Sequence, residues 1–192
     1  MAELPAALTI TIHGDLDPSQ HAAVDRLETT AFSSPEWTAA QWQEQADRYD
    51  GDADRVGYAL AHVGTELVGS MRLFERAVPF NGRTVRLGGI GAVATDPDWR
   101  GRGIAEATLI AAMEELRRHG AEVAYLCAVP ELGRRLYAKA GFAPLGRPYT
   151  YRGRSGTPYT DHDGWLAPLT DPALCAAMLT DTEPLDLAGS NW

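Results

Sequence analysis

The alternation of apolar and polar residues over Leu8 to His13 predicts a first strand. Asp17-Pro18 then reads as an N-cap followed by proline at the first helical position. Ala22, Leu27 and Ala31 carry that helix to about Phe32, and a second helix is predicted from Thr38 to near Tyr49. Three strands follow, over Arg55 to Val63, Glu66 to Val78 and Thr84 to Thr95. Asn81-Gly82 between the last two is a strong hairpin signal. Gly88, Gly89 and Gly91 interrupt the third strand, as a bulge or a close backbone approach would require. Ile104, Thr108, Leu109, Ala112, Met113 and Leu116 fall on one helical face, and Gly120 ends that helix. Glu122 to Ala128 is a short apolar run of the kind found in buried parallel strands. Pro130 opens a helix expected to end at Gly141; a strand is expected over 142–151, a long polar loop over 153–163 and a last strand over 164–169. Asp171-Pro172 caps a short helix, and a tail ends at Asn191-Trp192. Mixed strands and helices with one strand–loop–helix–strand crossover predict a three-layer α/β/α domain.

Composition bounds the function. The chain has 192 residues, 45% of them hydrophobic, which is enough for one globular domain spanning 1–192. No apolar run approaches ~20 residues, so no membrane span is expected. Met1-Ala2-Glu3-Leu4-Pro5 lacks a basic segment and does not read as a secretory leader, so a cytoplasmic location is expected. Cys127 and Cys175 lie in apolar contexts and read as buried free thiols. Neither they nor the five histidines have metal-ligand spacing, so no metal is expected. The formal net charge of −9 argues against a nucleic-acid partner. An acidic surface concentrates a cationic small molecule, although it also serves solubility alone.

Against that background Arg100-Gly101-Arg102-Gly103 is a basic island at a strand-to-helix turn. Its glycines let backbone N–H groups approach an oxyanion, and the helix opening at Ile104-Ala105 adds unpaired N–H groups and a positive dipole end. The segment lacks the Lys and Ser/Thr of a P-loop, and Glu106 stands where a dinucleotide fingerprint needs glycine. What remains is R-x-x-G-x-A, carried by Arg100, Gly103 and Ala105. It resembles the acetyl-CoA pyrophosphate loop of the GCN5-related N-acetyltransferases (GNAT). That resemblance implies a GNAT-type mixed central sheet flanked by helices, with acetyl-CoA as cosubstrate. It also implies that a main-chain N–H of Val93, Ala94 or Thr95 contacts the thioester carbonyl. The segment Arg134 to Phe142 is similar to the family's second signature. It implies that Tyr137 is the general acid that protonates the departing thiolate; a phenol near pKa 10 holds its proton at neutral pH.

Within that superfamily the chain is most similar to the aminoglycoside 2′-N-acetyltransferases. The similarity lies in Asp15-Leu16-Asp17, Ala31-Phe32, Trp42, Ala92-Val93-Ala94, Asp98-Trp99-Arg100-Gly101, Arg134 to Ala138, Thr157-Pro158, Asp163-Gly164 and an Ala188-Gly189 tail closing on Trp192. It implies acetylation of an aminoglycoside amine, the 2′-amine. Separately, the tryptophans and apolar residues of the C-terminal region fit either a homodimer surface or internal packing. Glu36, Asp161 and Asp163 would contact the cationic acceptor, and Trp192 would do so through a terminal carboxylate. Gly91 stands where the subfamily has an acid, Ala128 where it has serine, and Gln41 where it has another acid. These departures leave the general base unassigned and point to a less highly charged acceptor, such as a kasugamycin-like compound. A GNAT enzyme acting on another small amine and a catalytically silent acyl-CoA sensor stay open.

Overall fold

The computed structural model describes residues 4–32, 37–49 and 54–192. Its first strand, β1 (Leu8–His13), leads to α1 (Pro18–Phe32), and α2 (Ala39–Arg48) follows. Asp17 caps α1 as expected, its Oδ1 accepting from the N–H groups of Ser19 and Gln20. At α2, Thr38 and Gln41 form a reciprocal capping box. Gln41, which stands where the resemblance has an acid, is thus spent on starting the helix.

β2 (Arg55–Val63), β3 (Glu66–Phe80) and β4 (Arg83–Thr95) form an antiparallel meander with β1 at its edge. From β4 the chain crosses over through α3 (Ile104–Arg118) to β5 (Val123–Cys127), which runs parallel to β4. Then come α4 (Pro130–Arg135), β6 (Ala143–Pro144), β7 (Tyr149–Arg152), β8 (Pro158–Asp161), β9 (Gly164–Pro168), α5 (Pro172–Thr180) and β10 (Leu185–Asp186). The main sheet has the order β1-β2-β3-β4-β5-β9-β6, and a second sheet has the order β10-β7-β8.

The alternating faces of the strands explain the layers. On one side Met71, Leu73 and Ile90 pack with Leu109, Ala112 and Leu116 of α3 and with Tyr137 and Trp165. On the other, Tyr58 and Leu60 meet Val24 of α1, while Phe74, Tyr125, Tyr149 and Leu166 meet Met178 of α5 and Trp192. The main sheet therefore lies between two layers, as the sequence predicts.

Three expectations change in detail. The helix from Pro130 does not reach Gly141. It ends at Arg135 with Leu136 as its C-cap, the Leu136 N–H making the last helical bond to Leu132, and a 3₁₀ turn over Tyr137–Ala140 follows. The strand expected over 142–151 is two strands in different sheets, because Gly146 (φ 73°) and Pro148 turn the chain between them. The loop expected over 153–163 contains β8, which pairs with β7.

Candidate active site

The register of β4 creates an opening in the sheet. β4 and β5 pair at Leu87–Val123, Gly88–Ala124 and Gly89–Tyr125, and there the parallel ladder stops. β4 stays bonded to β3 as far as Thr95, while the end of β5 pairs with β9. The β5-facing main-chain groups over 90–95 therefore have no strand partner from β5. A bulge sits in the same stretch: Ala92 and Val93 oppose Met71, between the pairs Ser70–Ala94 and Arg72–Gly91. Ala92 takes a left-handed conformation (φ 47°), which costs about 1–3 kcal/mol in a non-glycine residue. Val93, Ala94 and Thr95 follow directly, so the expected carbonyl contacts lie at the diverging edge.

Beyond Thr95 the chain makes a 3₁₀ turn over Pro97–Trp99 and enters the arginine loop. Gly101 (φ 76°) and Gly103 (φ 77°) both occupy the left-handed region. Gly103 is the N-cap of α3 and has no side chain to cap it, so the first N–H groups of the helix, at Ile104 and Ala105, have no side-chain acceptor. Main-chain oxygens aim the two arginines. Arg100 Nε donates to the Thr95 carbonyl at 3.2 Å and Arg102 Nη2 to that of Asp98 at 3.2 Å. The Arg102 guanidinium also lies 4.7 Å above the Trp99 ring. Both are exposed and, among the described residues, neither has a carboxylate partner. A cradle of free N–H groups flanked by uncompensated guanidinium groups fits a pyrophosphate.

Tyr137 is buried beside the opening, its ring edge-on to Phe142 at 6.0 Å. Burial, together with the neighbouring Cys127, raises its phenol above the ordinary value, so it stays a proton donor throughout the working pH range.

The opposite wall is closed by the tail. Trp192 is buried, stacks on Phe74 with centroids 5.4 Å apart and meets the Tyr125 ring edge-on at 6.0 Å. A Cβ on Gly89 would lie 2.1 Å from its ring, and one on Gly91 would lie 2.9 Å from its main-chain carbon. The glycines of β4 that signal a close approach are thus the seat of Trp192. Arg76 latches the tail: its guanidinium lies 4.4 Å above the Trp192 ring and donates to the carbonyls of Leu187 (3.0 Å) and Ser190 (2.7 Å).

Asn191, fully buried, organises the floor. Its Oδ1 accepts from the Tyr125 hydroxyl at 3.0 Å, and its Nδ2 donates to the Tyr149 hydroxyl at 3.3 Å. Tyr149 in turn donates to Asp163 at 2.7 Å. Cys127 Sγ lies 3.6 Å from the main-chain oxygen of Trp192 and 3.9 Å from the Tyr49 hydroxyl. Burial, reinforced by Asp163, pushes its thiol up to about 12. It is therefore a thiol, not a thiolate, at neutral pH.

The sequence-predicted acceptor contacts separate. Asp163 reaches the floor, and Gly91 and Trp192 touch each other. Ala128 donates its N–H to the Asp163 carbonyl at 2.9 Å, where the resemblance has a serine. Asp161 is engaged elsewhere: it accepts from Arg48 Nη1 at 3.1 Å and from the Tyr151 hydroxyl at 2.6 Å, fastening α2 to the β7–β8 hairpin. Glu36 lies outside the described residues. The sequence reading missed Tyr49, Arg76, Tyr125, Tyr149 and Asn191. A usable signal existed for Arg76, since Arg72 and Arg76 place two cations on one face of a strand, with Phe74 between them.

A sheet opened beside an anion cradle, with a buried phenol at its edge, defines an acyl-CoA-dependent transferase. Residues 15–145 match the family model of the acetyltransferase (GNAT) domain; the chain belongs to that family and is an acyltransferase. It is 25% identical over 162 residues to an aminoglycoside 2′-N-acetyltransferase of Mycolicibacterium fortuitum, covering 83% of this chain and 77% of the relative. Among solved structures, it superimposes on the GNAT-family N-acetyltransferase YhbS of Escherichia coli, determined in complex with CoA, with a TM-score of 0.62. That match has 17% identity and covers 94% of this chain and 89% of the other. A probable N-acyltransferase from Enterococcus faecalis aligns with a TM-score of 0.55 at 17% identity over 76% of this chain, which spans 35% of that longer protein.

Proposed function

We propose that the protein transfers an acetyl group from acetyl-CoA directly to a primary amine of a small cationic acceptor, an aminoglycoside at its 2′-amine. The observation that carries this reading is the divergence of β4 and β5 between the arginine loop and the Asp163–Asn191–Trp192 floor. The pyrophosphate lies on Gly101, Gly103 and the N–H groups of Ile104 and Ala105, with Arg100 and Arg102 at the rim. A main-chain N–H within Val93–Thr95 polarises the thioester carbonyl. The neutral amine attacks that carbon, the C–S bond breaks, and the thiolate takes the Tyr137 proton as the nitrogen gives one up. The protonated Cys127 thiol favours direct transfer over an acyl-cysteine intermediate.

The same reading, with another small amine as acceptor, is favoured by one observation. Asp161 is neutralised by Arg48, so the site offers fewer uncompensated carboxylates than a polycationic sugar calls for. Thiol release from acetyl-CoA, measured with aminoglycosides and simple amines in parallel, separates the two. Turnover with an aminoglycoside, and mass-spectrometric placement of the acetyl group on its 2′-nitrogen, is the expected result. Turnover confined to other amines overturns the aminoglycoside acceptor, and none with any amine overturns the enzyme reading.

A further inference from the structure

Acetyl transfer needs an amine that has lost its proton, and the strand at the opening supplies no acceptor for it. Residues 90–95 read Ile-Gly-Ala-Val-Ala-Thr, without an ionisable side chain. The fold brings an ionisable pair to this wall from elsewhere. Arg72 of β3 is the cross-strand partner of Gly91, and directly opposed residues share a face of the sheet. From that face Arg72 grips Glu28 of α1 with two bonds, Nε to Oε1 at 3.0 Å and Nη2 to Oε2 at 2.7 Å. Both side chains are largely withdrawn from water, with 20% and 15% of their surface exposed. Such a pair costs desolvation energy that its mutual attraction seldom repays in full, so stability alone does not account for its placement. Two residues before Arg72 on the same strand face, the Ser70 hydroxyl is buried and has no hydrogen-bond partner among the described residues. Phe74 and the main-chain carbon of Trp192 complete the surroundings of Gly91. The Glu28 carboxylate, its Arg72 tether and the unsatisfied Ser70 hydroxyl thus lie on one face of the sheet, where β3 runs beside the β4 bulge.

We propose that Glu28, held in place by Arg72, accepts the proton of the acceptor ammonium, directly or through one water, filling from α1 the role that Gly91 leaves vacant on β4. This rests on the acetyl-transfer reading above. The proton moves from nitrogen to a Glu28 oxygen before the C–N bond forms, and Arg72 acts as a positioning residue. Burial raises the Glu28 carboxyl above its ordinary value, against the lowering pull of Arg72 and helped by Asp25, which brings it towards the range useful for a base. Arg72 from β3 and Asp25 from the preceding turn of α1 are the charged groups acting on it among the described residues. β4 contributes none over 90–95, and the ionisable groups of β2 on this side, Tyr58 and His62, face His21 and the groove beside Leu27.

The test compares wild type with Glu28→Gln on tobramycin, kasugamycin and spermidine, using the amine that the wild type turns over fastest. With Glu28 as base, wild-type kcat/KM rises through the Glu28 ionisation and then levels off, because beyond it the bound amine always has a proton acceptor. Glu28→Gln is expected to lose ~10²-fold in kcat/KM at pH 7. Its profile should rise steadily with pH and approach wild type near roughly pH 9.5, where the amine deprotonates unaided. An acid limb unchanged in Glu28→Gln, or a variant within ~2-fold of wild type at pH 7, overturns the proposal. Where Glu28→Gln gives no cooperative melt, Glu28→Asp decides: a retained acid limb at reduced rate supports the assignment, and a lost limb overturns it. Turnover of spermidine alone overturns the aminoglycoside acceptor while still testing Glu28. No turnover of any of the three overturns both.

Discussion

The proposed donor side of the opening is one continuous stretch of chain, from the bulge at Ala92 through the two left-handed glycines to the start of α3. Its binding groups are mostly main-chain N–H groups, and even its arginines are aimed by the main-chain oxygens of Thr95 and Asp98. The acceptor side has no such continuity. In the proposed arrangement Glu28, Tyr49, Arg72, Asp163, Asn191 and Trp192 come from five separate segments, and side chains make most of the contacts. A pyrophosphate is the same in every acetyl-CoA, so backbone geometry suffices to hold it. Acceptors differ in shape and charge, and side chains supply that variation. The donor half should therefore tolerate damage to the acceptor half.

Trp192→Ala gives the harshest test of that independence. The ring stacks on Phe74, touches Tyr125 edge-on and carries Arg76, so truncation leaves a large void against Gly89 and Gly91. A loss of about 3–5 kcal/mol of stability is expected, read as a fall in the midpoint of thermal or urea unfolding. Acceptor KM should rise sharply, while acetyl-CoA affinity by calorimetry, measured well below the lowered melting temperature, should hold. If donor affinity collapses with the tail, the two halves are one cooperative unit and the comparison fails.

Tyr137→Phe cuts at the junction instead. Among the described residues no hydrogen bond engages the Tyr137 hydroxyl, and its ring packing against Phe142 survives the change. Stability should move by less than about 1 kcal/mol. kcat should fall about 10²-fold with little change in acetyl-CoA affinity, because the lost group acts when the thiolate leaves. Unchanged kcat in stopped-time thiol assays would remove the tyrosine from the chemistry.

The same contrast explains what could be read in the chain before folding. The hairpin at Asn81-Gly82, the amphipathic α3 and the arginine loop are local patterns, and all three appear where the spacing puts them. Gly89 and Gly91 announced a close approach but not what approaches, because the partner, Trp192, lies a hundred residues away in the chain. Asp161 looked available in a polar loop; its capture by Arg48 depends on how α2 meets the β7–β8 hairpin. Glu28 and Arg72 carried no motif, since their pairing follows from the register of β3 on β4 and the packing of α1 above it. The two-residue strand β6 and the bend at Gly146 were hidden because short elements leave little periodicity.

Arg100→Ala and Arg102→Ala probe the donor side with smaller steps. Each should weaken acetyl-CoA binding by roughly 3–10-fold, since the N–H cradle remains and the lost cation is exposed and screened. The loss should shrink when the titration is repeated at higher salt, and acceptor KM should stay put. A matching loss of acceptor affinity would mean that the arginines serve both sides.

The gentlest measurement concerns Cys127, which the acceptor floor keeps protonated. Its folded value, about 12, lies above that of an ordinary thiol in the unfolded chain, about 8.5. Below the lower value both states hold the proton and the stabilisation is complete. Between the two the unfolded chain ionises first, so stability declines as pH rises towards the folded value. Cys127→Ser should therefore flatten the fall in melting temperature between pH 8 and 10, by an amount on the order of 1 kcal/mol. Cys175, pushed to about 11 by burial, and the buried tyrosines keep the rest of the slope. Alkylation by iodoacetamide, followed at the Cys127 peptide by mass spectrometry, sharpens the point: slow reaction at pH 8 in the wild type and faster reaction in Trp192→Ala are expected. Equal rates would show that β5 and its neighbours, rather than the tail, keep water from the thiol, and would move Cys127 from the tertiary half of the site to the half that the sheet builds by itself.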